Sequence, residues 1–285
     1  MTGPPAGLPA ESPARSGPSV SLVIATYNWV EALALVLASV RAQRELPDEV
    51  VIADDGSRPE TAEMITREAK VFPVPLRHVW HEDRGFRLTT IRNKAMAAAR
   101  ADYIVQIDGD LLLHPAFVQS HRRFARRGWY VQGGRVMLDQ SATEQCVAAA
   151  GLAVRVYSPG LRNRINAIHA PWLASFAGGS VNPAKRTRGC NMAFWRDDIL
   201  RVNGYDETME GWGREDSELA ARLLNAGVRR RNLKFAAVAW HLHHAGRPTD
   251  AFERNHAIYE RTVRERRVRC ELGLAQYLDR PTARG

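Results

Sequence analysis

The sequence predicts an α/β protein with a mostly parallel central sheet and helices packed against it. Between Ser19 and Ile107, apolar segments that suit buried strands alternate with segments of helical periodicity. This alternation is typical of doubly wound sheets, whose ligands lie beyond the carboxyl ends of the strands. The 285 residues, 45% of them hydrophobic, are enough to bury the core of one large domain.

The first half of the chain contains seven predicted elements. In order, they are a strand at 19–26, a helix at 31–43, a strand at 50–53, a helix at 59–70, a strand at 76–80, a helix at 89–100 and a strand at 103–107. The first helix is the clearest, because its apolar residues share one face, namely Leu33, Val36, Leu37 and Val40. No Gly-x-Gly-x-x-Gly motif follows the first strand, which argues against a dinucleotide-binding domain.

The second half is less regular. Residues 141–180 mix scattered apolar residues with arginines and a Gly-Gly pair, and we expect an extended or mobile excursion there. Regular structure resumes afterwards, in segments at 190–195, 214–226 and 235–240. The chain is therefore divided into a disordered leader at 1–18, a single domain at 19–246 and a basic helical tail at 247–285.

The chain is strongly basic, with a net charge of +9 and a pI near 9.9. Such a charge suits a nucleic acid, an anionic membrane surface or a phosphate-bearing substrate. The basic residues are dispersed, whereas a nucleic-acid-binding module would interleave arginines with aromatic residues on one surface. No apolar run is long enough to span a bilayer. The arginines of the tail leave a peripheral contact with the inner membrane surface open.

The three cysteines indicate a reducing compartment. Cys146, Cys190 and Cys270 are widely spaced and form no Cys-x-x-Cys pair, so neither a disulfide framework nor a cysteine zinc site is expected. The leader also lacks the apolar core of a signal peptide. We therefore expect a cytoplasmic protein.

Polar residues follow three of the predicted strands, and the carboxyl ends of parallel strands meet at one edge of a sheet. They are Thr26, Tyr27 and Asn28 after the first strand, Asp54 and Asp55 after the second, and Asp108, Gly109 and Asp110 after the fourth. Two carboxylates separated by one residue can hold a divalent cation that in turn binds a diphosphate, and oxygen ligands suit Mg²⁺ or Mn²⁺. A lone Asp-x-Asp is weak evidence, because this pattern is more often a polar turn. Its position beside Asp54 and Asp55 favours the metal site.

Two histidines at i, i+3 follow the late strand. His241 and His244 can converge on one metal if the chain turns there. Histidines at a strand end also bond to the backbone, and spacing alone favours neither interpretation. His243 could replace either residue as a ligand.

The segment from Gly211 to Asp216 carries the candidate base. Glu215 and Asp216 open a helix, where acidic residues are common for electrostatic reasons alone. A carboxylate beside a cleft can also act as a general base towards a sugar hydroxyl. Trp212, between two glycines, favours the functional interpretation because an indole is a suitable platform for a sugar face.

Six sequence blocks follow one another in this order: SLVIATYN, VVIADDGS, DRGFRLTTIRNKAMAAARADYIVQIDGD, RGCNMAFWRDDILRVNGYDE, GWGREDSELAARLLNAG and AWHLHH. Together they resemble the inverting glycosyltransferases of family 2, which have the GT-A fold. The resemblance covers about residues 19–246. It is strongest to bacterial chondroitin-polymerase-like members and to the galactosyltransferase C-terminal region. The Gln-Arg-Arg-x-Trp motif of processive synthases is absent, and the sequence has one Asp-x-Asp and Glu-Asp set, so a second transferase domain is not expected.

The resemblance implies a role for each motif. Asp110, His241 and His244 would bind Mn²⁺ or Mg²⁺, and Asp216 would be the base, with Glu215 binding sugar hydroxyls. The nucleotide-sugar, preferably UDP-linked, would be bound by Thr26, Tyr27, Asn28, Asp54, Asp55, Arg92, Asp108 and Gly109. The acceptor, a glycan or glycolipid of bacterial surface polysaccharide synthesis, would be bound by Trp212, Gly213 and Asn191. The irregular segment 141–185 would lie on the acceptor side, where it would shape the acceptor site or close over the donor.

Two other functions remain open. A nucleotidyltransferase would use a similar sheet and acidic metal ligands, but it needs a Gly-rich basic loop after the first strand, which ATYNWVEA does not supply. A non-catalytic nucleotide-sugar-binding protein would have no need of Asp216.

Overall fold

A computed structural model describes residues 17–151, 154–176, 187–246 and 249–278. The predicted leader therefore lies outside the described residues except for its last two positions. The first half alternates strands and helices as predicted: β1 (Val20–Thr26), α1 (Val30–Arg41), β2 (Glu49–Asp54), α2 (Pro59–Ala69), β3 (Leu76–Trp80), α3 (Leu88–Ala98) and β4 (Tyr103–Asp108).

The second half contains shorter elements. They are β5 (Leu111–Leu113), α4 (Phe117–Phe124), β6 (Trp129–Gly133), β7 (Val136–Leu138), α5 (Gln140–Ala148), β8 (Leu161–Arg162), α6 (Pro171–Ala174), β9 (Asn191–Trp195), α7 (Arg196–Val202), α8 (Glu215–Asn225), β10 (Arg229–Leu233), β11 (Ala239–His241) and α9 (Phe252–Arg264). Short 3-10 helices lie at Arg164–Ala167 and Leu274–Tyr277.

The seven-stranded central sheet has the order β10-β6-β9-β4-β1-β2-β3. Only β9 runs antiparallel to its neighbours β4 and β6, which confirms the predicted mostly parallel sheet. The register pairs Thr26 with Asp54 and Ala25 with Asp108. The carboxyl ends of β1, β2 and β4 are therefore level with one another at one edge of the sheet.

The apolar core lies on both faces of this sheet. Successive residues of β1 alternate between two clusters, because side chains of a strand point to opposite faces. Leu22 and Ile24 pack with α1 in one cluster, and Val23 and Ala25 pack with α3 in the other. Burial on both faces explains why β1 appears in the sequence as a continuous apolar run.

A second sheet of four strands, in the order β5-β11-β7-β8, continues from the central one. Its strand β11 is much shorter than the strand predicted at 235–240. Phe235 and Ala237 have φ angles of +62° and +47°, and left-handed residues cannot continue a β ladder. The strand consequently begins only at Ala239 and ends at His241.

The excursion predicted at 141–180 is more ordered than its sequence suggests. Asp139 caps α5 by accepting a hydrogen bond from the Ala142 backbone N–H at 2.9 Å. Cys146, Leu161 and Ala174 are buried in the core, so much of this segment is docked onto the domain. Residues 177–186 lie outside the described part of the chain.

The segment predicted as a helical tail contains α9, and its described part packs against the domain that precedes it. The Thr262 hydroxyl of α9 donates to Glu218 at 2.9 Å, and Asn225 of α8 donates to the Arg267 carbonyl at 2.8 Å. Cys270 and Leu274 are buried. Among the described helices, none is both long and apolar enough to cross a bilayer.

Arg222 on α8 should be essential for stability. It is fully buried, pairs with Glu218, and donates to the carbonyls of Val202 and Gly204 at 2.6 and 2.7 Å. Arg222→Met leaves a buried carboxylate without its partner, and we expect a loss of about 3–5 kcal/mol in urea unfolding. The exposed Arg201→Met is the matched control and should change stability by less than about 1 kcal/mol. Equal midpoints for both variants would contradict the role given to Arg222.

Candidate active site

A cleft of about 830 Å³ opens at the carboxyl ends of β1, β2 and β4. The strand ends form its first wall, which contains Thr26, Tyr27, Asp55, Asp108, Gly109 and Asp110. Later segments of the chain contribute Trp212, His244, Asp250, Ala251 and Arg254. Its volume lies within the range of small-molecule sites. The cleft thus lies where a parallel sheet places its ligands.

A tight turn directs both aspartates of the Asp108-Gly109-Asp110 triplet towards the cleft. The Gly109 N–H donates to the Ala25 carbonyl at 2.6 Å. A Cβ atom on Gly109 would lie 2.8 Å from that oxygen and 3.2 Å from the Thr26 Cβ. Only glycine allows β1 and the turn to approach this closely, so the middle residue sets the geometry of its acidic neighbours.

Asp110, His241 and His244 form a candidate metal centre. One ligand atom from each lies within 4.8 Å of the others. The Asp110 Oδ2 atom is 3.6 Å from His241 Nε2 and 3.4 Å from His244 Nε2. Both distances exceed a hydrogen bond but suit atoms that share one cation.

The tautomers of the two histidines support this interpretation. His241 Nδ1–H donates to the Leu242 carbonyl and His244 Nδ1–H to the Ala245 carbonyl, each at 2.7 Å. Their Nε2 lone pairs are therefore directed at Asp110. Burial lowers the pKa of His241 to about 4, with a further contribution from Arg135, so its imidazole is neutral at neutral pH. A neutral imidazole oriented through its other nitrogen is the usual form of a histidine ligand.

Arg92 joins the metal side of the site to the candidate base. Its guanidinium is buried and donates to Asp108 at 2.8 Å and to Asp216 at 3.1 Å. Asp216 also accepts from the Tyr205 hydroxyl at 3.1 Å and from the Gly189 N–H at 2.6 Å. These donors fix the position of the Asp216 carboxylate.

Glu215 lies in a drier environment than Asp216. Burial raises the pKa of Glu215 to about 7, and the neighbouring Asp216 carboxylate adds to the effect. The Gly213 N–H donates to its carboxyl group at 2.9 Å. The two acidic residues at this helix start therefore differ in environment, which commonly separates their roles.

The loop before α8 presents an indole to the cleft. Trp212 is 40% exposed, and its ring stacks on Phe252 of α9 at a centroid distance of 6.1 Å. Gly213 has a φ of +118°, and a Cβ atom there would lie 2.8 Å from the Phe252 ring. Glycine is thus required for the loop to pack beneath Trp212.

Two family models match this chain. "Glycosyl transferase family 2" matches residues 21–148, and "N-terminal domain of galactosyltransferase" matches residues 177–245. Residues 21–148 therefore form a family 2 glycosyltransferase domain. The first match contains the triplet with Asp110, and the second contains Asp216, His241 and His244.

Two relatives illustrate the range of this glycosyltransferase family. A chondroitin synthase of Escherichia coli is 28% identical over 247 residues, which cover 81% of this chain and 36% of that protein. A validoxylamine A glucosyltransferase of Streptomyces hygroscopicus subsp. limoneus is 26% identical over 235 residues, covering 74% of this chain and 49% of that protein. The chain thus spans about a third to a half of the length of these relatives.

Solved glycosyltransferase structures share the fold. The mannosyltransferase PcManGT of Pyrobaculum calidifontis, in complex with GDP-Man and Mn²⁺, has a TM-score of 0.56 at 21% identity and covers 79% of this chain and 57% of its own. TarS 1–349 of S. aureus, in complex with UDP, has a TM-score of 0.60 at 14% identity, with coverages of 91% and 68%. At these identities the likeness shows the GT-A fold alone.

Eight predicted site residues do not line this cleft, namely Asn28, Asp54, Arg92, Asn191, Gly213, Glu215, Asp216 and His241. Asp54 is buried and accepts from the Ser57 N–H at 2.8 Å and from His78 at 2.9 Å. Asn28 accepts from the Arg58 N–H at 2.8 Å. Asp54 and Asn28 thus shape the turns after β2 and β1, and Asp55 is the residue of its pair that lines the cleft.

The structure gives four of the candidate residues positions that differ from those expected, namely Asn191, Arg92, Gly213 and His243. Asn191 is fully buried, where its amide donates to the Gly134 carbonyl at 2.9 Å and accepts from His121 at 3.0 Å, so it cannot reach an acceptor. Arg92 is too buried for direct contact with a nucleotide, and it holds carboxylates instead. Gly213 supports Trp212 from below. His243 is not a member of the metal group.

The sequence pattern gave no indication of the cleft residues from α9 and the turn before it. Asp250, Ala251 and Arg254 line the cleft, although they belong to the segment interpreted as a tail. The Arg254 guanidinium donates to the Glu210 carbonyl at 2.7 Å, which ties α9 to the Trp212 loop. A charged surface helix and a cleft-lining helix have the same amphipathic pattern, so periodicity alone does not distinguish them.

Two histidine variants test whether the candidate metal centre binds Mn²⁺. His244→Gln should weaken Mn²⁺ binding by at least about tenfold in isothermal titration calorimetry, because one imidazole ligand is removed. His243→Gln, one position away and outside the metal group, should bind Mn²⁺ as the wild type does. Equal affinities for the two variants would exclude His244 as a ligand.

Glu215 should make stability depend on pH. Its folded pKa is raised from 4.5 to about 7, so its contribution is complete below pH 4.5 and is lost as the pH rises through 7. We expect the free energy of unfolding to fall by about 1–3 kcal/mol across this window. Glu215→Gln should flatten this dependence in urea unfolding, whereas the exposed Glu253→Gln should preserve it. An unchanged slope in Glu215→Gln would show that Glu215 titrates normally.

Proposed function

We propose that the protein is an inverting, metal-dependent glycosyltransferase. It transfers a sugar from a nucleotide-sugar, preferably UDP-linked, to a hydroxyl group of a glycan or glycolipid. The observation that carries the proposal is that Asp110, His241 and His244 converge beside Asp108 at the edge of one cleft. A metal site next to strand-end polar residues is the arrangement that a charged diphosphate donor requires.

The donor would lie along the first wall of the cleft. Thr26, Tyr27 and Asp55 line this wall at the ends of β1 and β2, where they can bind the nucleoside. Asp55 is held in place by His81 at 2.7 Å and by the Arg87 N–H at 3.1 Å. Such pre-orientation reduces the entropy that donor binding must overcome.

The residues of the metal group fit Mn²⁺ or Mg²⁺, and Asp110, His241 and His244 would hold the ion. A bound divalent cation would neutralise the negative charge that develops on the departing diphosphate. In support, the PcManGT structure contains Mn²⁺ together with its nucleotide-sugar. Asp108 lines the cleft next to these ligands and would contact the donor ribose or a ligand of the ion.

Asp216 would act as the general base in a single displacement. The acceptor oxygen forms a bond with the anomeric carbon, the bond from that carbon to the diphosphate oxygen breaks, and the hydroxyl proton passes to Asp216. Inversion of the anomeric centre follows from one displacement. Among the described residues, Asp216 Oδ2 accepts one hydrogen bond, from Gly189, which leaves a lone pair for the proton. Glu215 would bind a sugar hydroxyl, and Trp212 would pack against a sugar face.

The cellular role is proposed by similarity and composition. The relatives include chondroitin synthases of Escherichia coli and Pasteurella multocida, which supports a role in bacterial surface polysaccharide synthesis. All three cysteines are buried, and they form no disulfide in the described part of the chain, as suits the cytoplasm. The family match argues against a nucleotidyltransferase, and the fixed Asp216 argues against a protein that only binds nucleotide-sugars.

A panel of nucleotide-sugars, assayed with and without Mn²⁺ for release of nucleoside diphosphate, tests the proposal. Asp216→Asn should reduce kcat by about 10²–10⁴-fold, because a general base contributes this much, while donor affinity changes little. Asp110→Asn should abolish the dependence of donor binding on Mn²⁺. The exposed Asp197→Asn is the control and should retain full activity. Unchanged turnover in both site variants would refute the mechanism.

A further inference from the structure

Six large apolar side chains are exposed on the excursion of residues 154–176. Three aromatic side chains are largely exposed there: Tyr157 at 68%, Trp172 at 65% and Phe176 at 86%. Val156, Ile165 and Ile168 are exposed as well. A protein that stays in water rarely exposes so many large apolar side chains in one short segment.

The excursion is docked on the domain. Val154, Leu161 and Ala174 are buried in the core. Hydrogen bonds join Asn166 Nδ2 to the Arg135 carbonyl at 2.9 Å and the Ala170 N–H to the Phe235 carbonyl at 2.8 Å. Other side chains of the same segment anchor it, so the exposed rings project from an ordered support.

The charge of this region is exclusively positive. The sequence has no Asp or Glu between Glu144 and Asp197. Arg155, Arg162 and Arg164 are exposed within the excursion. A surface that combines apolar side chains with arginines and excludes acidic residues is suited to an anionic interface.

The tail, for which the sequence leaves a membrane contact open, differs from the excursion in its charge balance and in its exposed apolar side chains. Its arginines alternate with acidic residues and form pairs such as Arg264 with Glu265 at 3.5 Å and Arg267 with Glu271 at 3.6 Å. Three exposed large apolar side chains occur in its described part, all of them aliphatic, at Val263, Leu272 and Leu278. The tail therefore has neither the unbalanced charge nor the exposed aromatic rings of the excursion.

We propose that the excursion 154–176 binds the surface of an anionic phospholipid bilayer. Its arginines would pair with lipid phosphates, while Tyr157, Trp172 and Phe176 would insert at the level of the headgroups, where aromatic side chains are favoured. A nucleic acid or a polyanionic glycan would satisfy the arginines but would leave Ile165 and Ile168 exposed to water. The proposal goes beyond glycosyl transfer and does not depend on it.

The four-stranded sheet connects the excursion to the candidate active site. Its strand β8 belongs to the four-stranded sheet that also contains β11, which ends at the metal-group residue His241. A bilayer bound by the excursion would thus be connected to the candidate active site through one small sheet. The reaction would then take place close to the membrane surface.

Vesicle flotation of the full chain tests the proposal directly. Wild-type protein should float with vesicles that contain about 30% phosphatidylglycerol and should bind vesicles of pure phosphatidylcholine at least about tenfold more weakly. Ile168→Ser combined with Trp172→Ser should reduce binding to the anionic vesicles at least about tenfold. Arg155→Gln combined with Arg162→Gln should do the same, since each arginine near the surface contributes about fivefold.

Two controls separate the excursion from other surfaces. Val71→Ser removes an equally exposed apolar side chain elsewhere, and Arg264→Gln combined with Arg266→Gln removes charge from the tail. Both should bind vesicles as the wild type does, and circular dichroism should show that all variants are folded. Absence of wild-type binding, or loss of binding in the tail variant alone, would overturn the proposal.

The same set of variants would reveal either of two other binding partners for the excursion. Binding to soluble heparin that depends on the arginines and not on Trp172, without vesicle binding, would indicate an anionic glycan. A dimer in light scattering that dissociates in the Ile168→Ser, Trp172→Ser variant, again without vesicle binding, would indicate a second copy of this chain. Either result would refute the membrane assignment.

Discussion

A buried guanidinium connects the two halves of the site. Arg92 belongs to the regular α/β half, and it donates both to Asp108 at the end of β4 and to Asp216 at the start of α8. The positive charge of Arg92 between the two carboxylates offsets their mutual repulsion. The donor side and the base of the proposed reaction are therefore positioned by one residue that itself has almost no access to the cleft.

The sequence predicts the elements of the first half of the fold well, because a local pattern of residues identifies each of them. Continuous apolar runs identify strands that are buried on both faces, and parallel pairing then brings their ends together whatever the details of the loops. For this reason, the sequence alone assigns Thr26, Asp55 and Asp108 to one crevice. The metal group could be proposed from spacing only in combination with the family resemblance, since its members come from two distant segments.

The roles of the other site residues depend on tertiary packing, which the periodicity of the sequence does not reveal. Asn191 and Asp54 are polar residues within motifs that suggest a site, yet their side chains hydrogen-bond to backbone and histidine groups inside the protein. The turn and first residues of α9 enter the cleft because Thr262 and Asn255 are buried against the domain, a contact between residues far apart in sequence. Such positions can be distinguished from surface positions only once the packing partner is known.

The two imidazoles of the metal group also affect which ion the site would select. Nitrogen ligands raise affinity along the first transition series, so a site of one carboxylate and two histidines would favour Zn²⁺ over Mn²⁺ at equal concentration. The carbonyls that hold each Nδ1 proton keep the Nε2 atoms available to either ion. The fold alone would therefore not determine which metal is bound. The free concentrations of transition metals around the protein would decide whether the site holds the activating ion or a competing one.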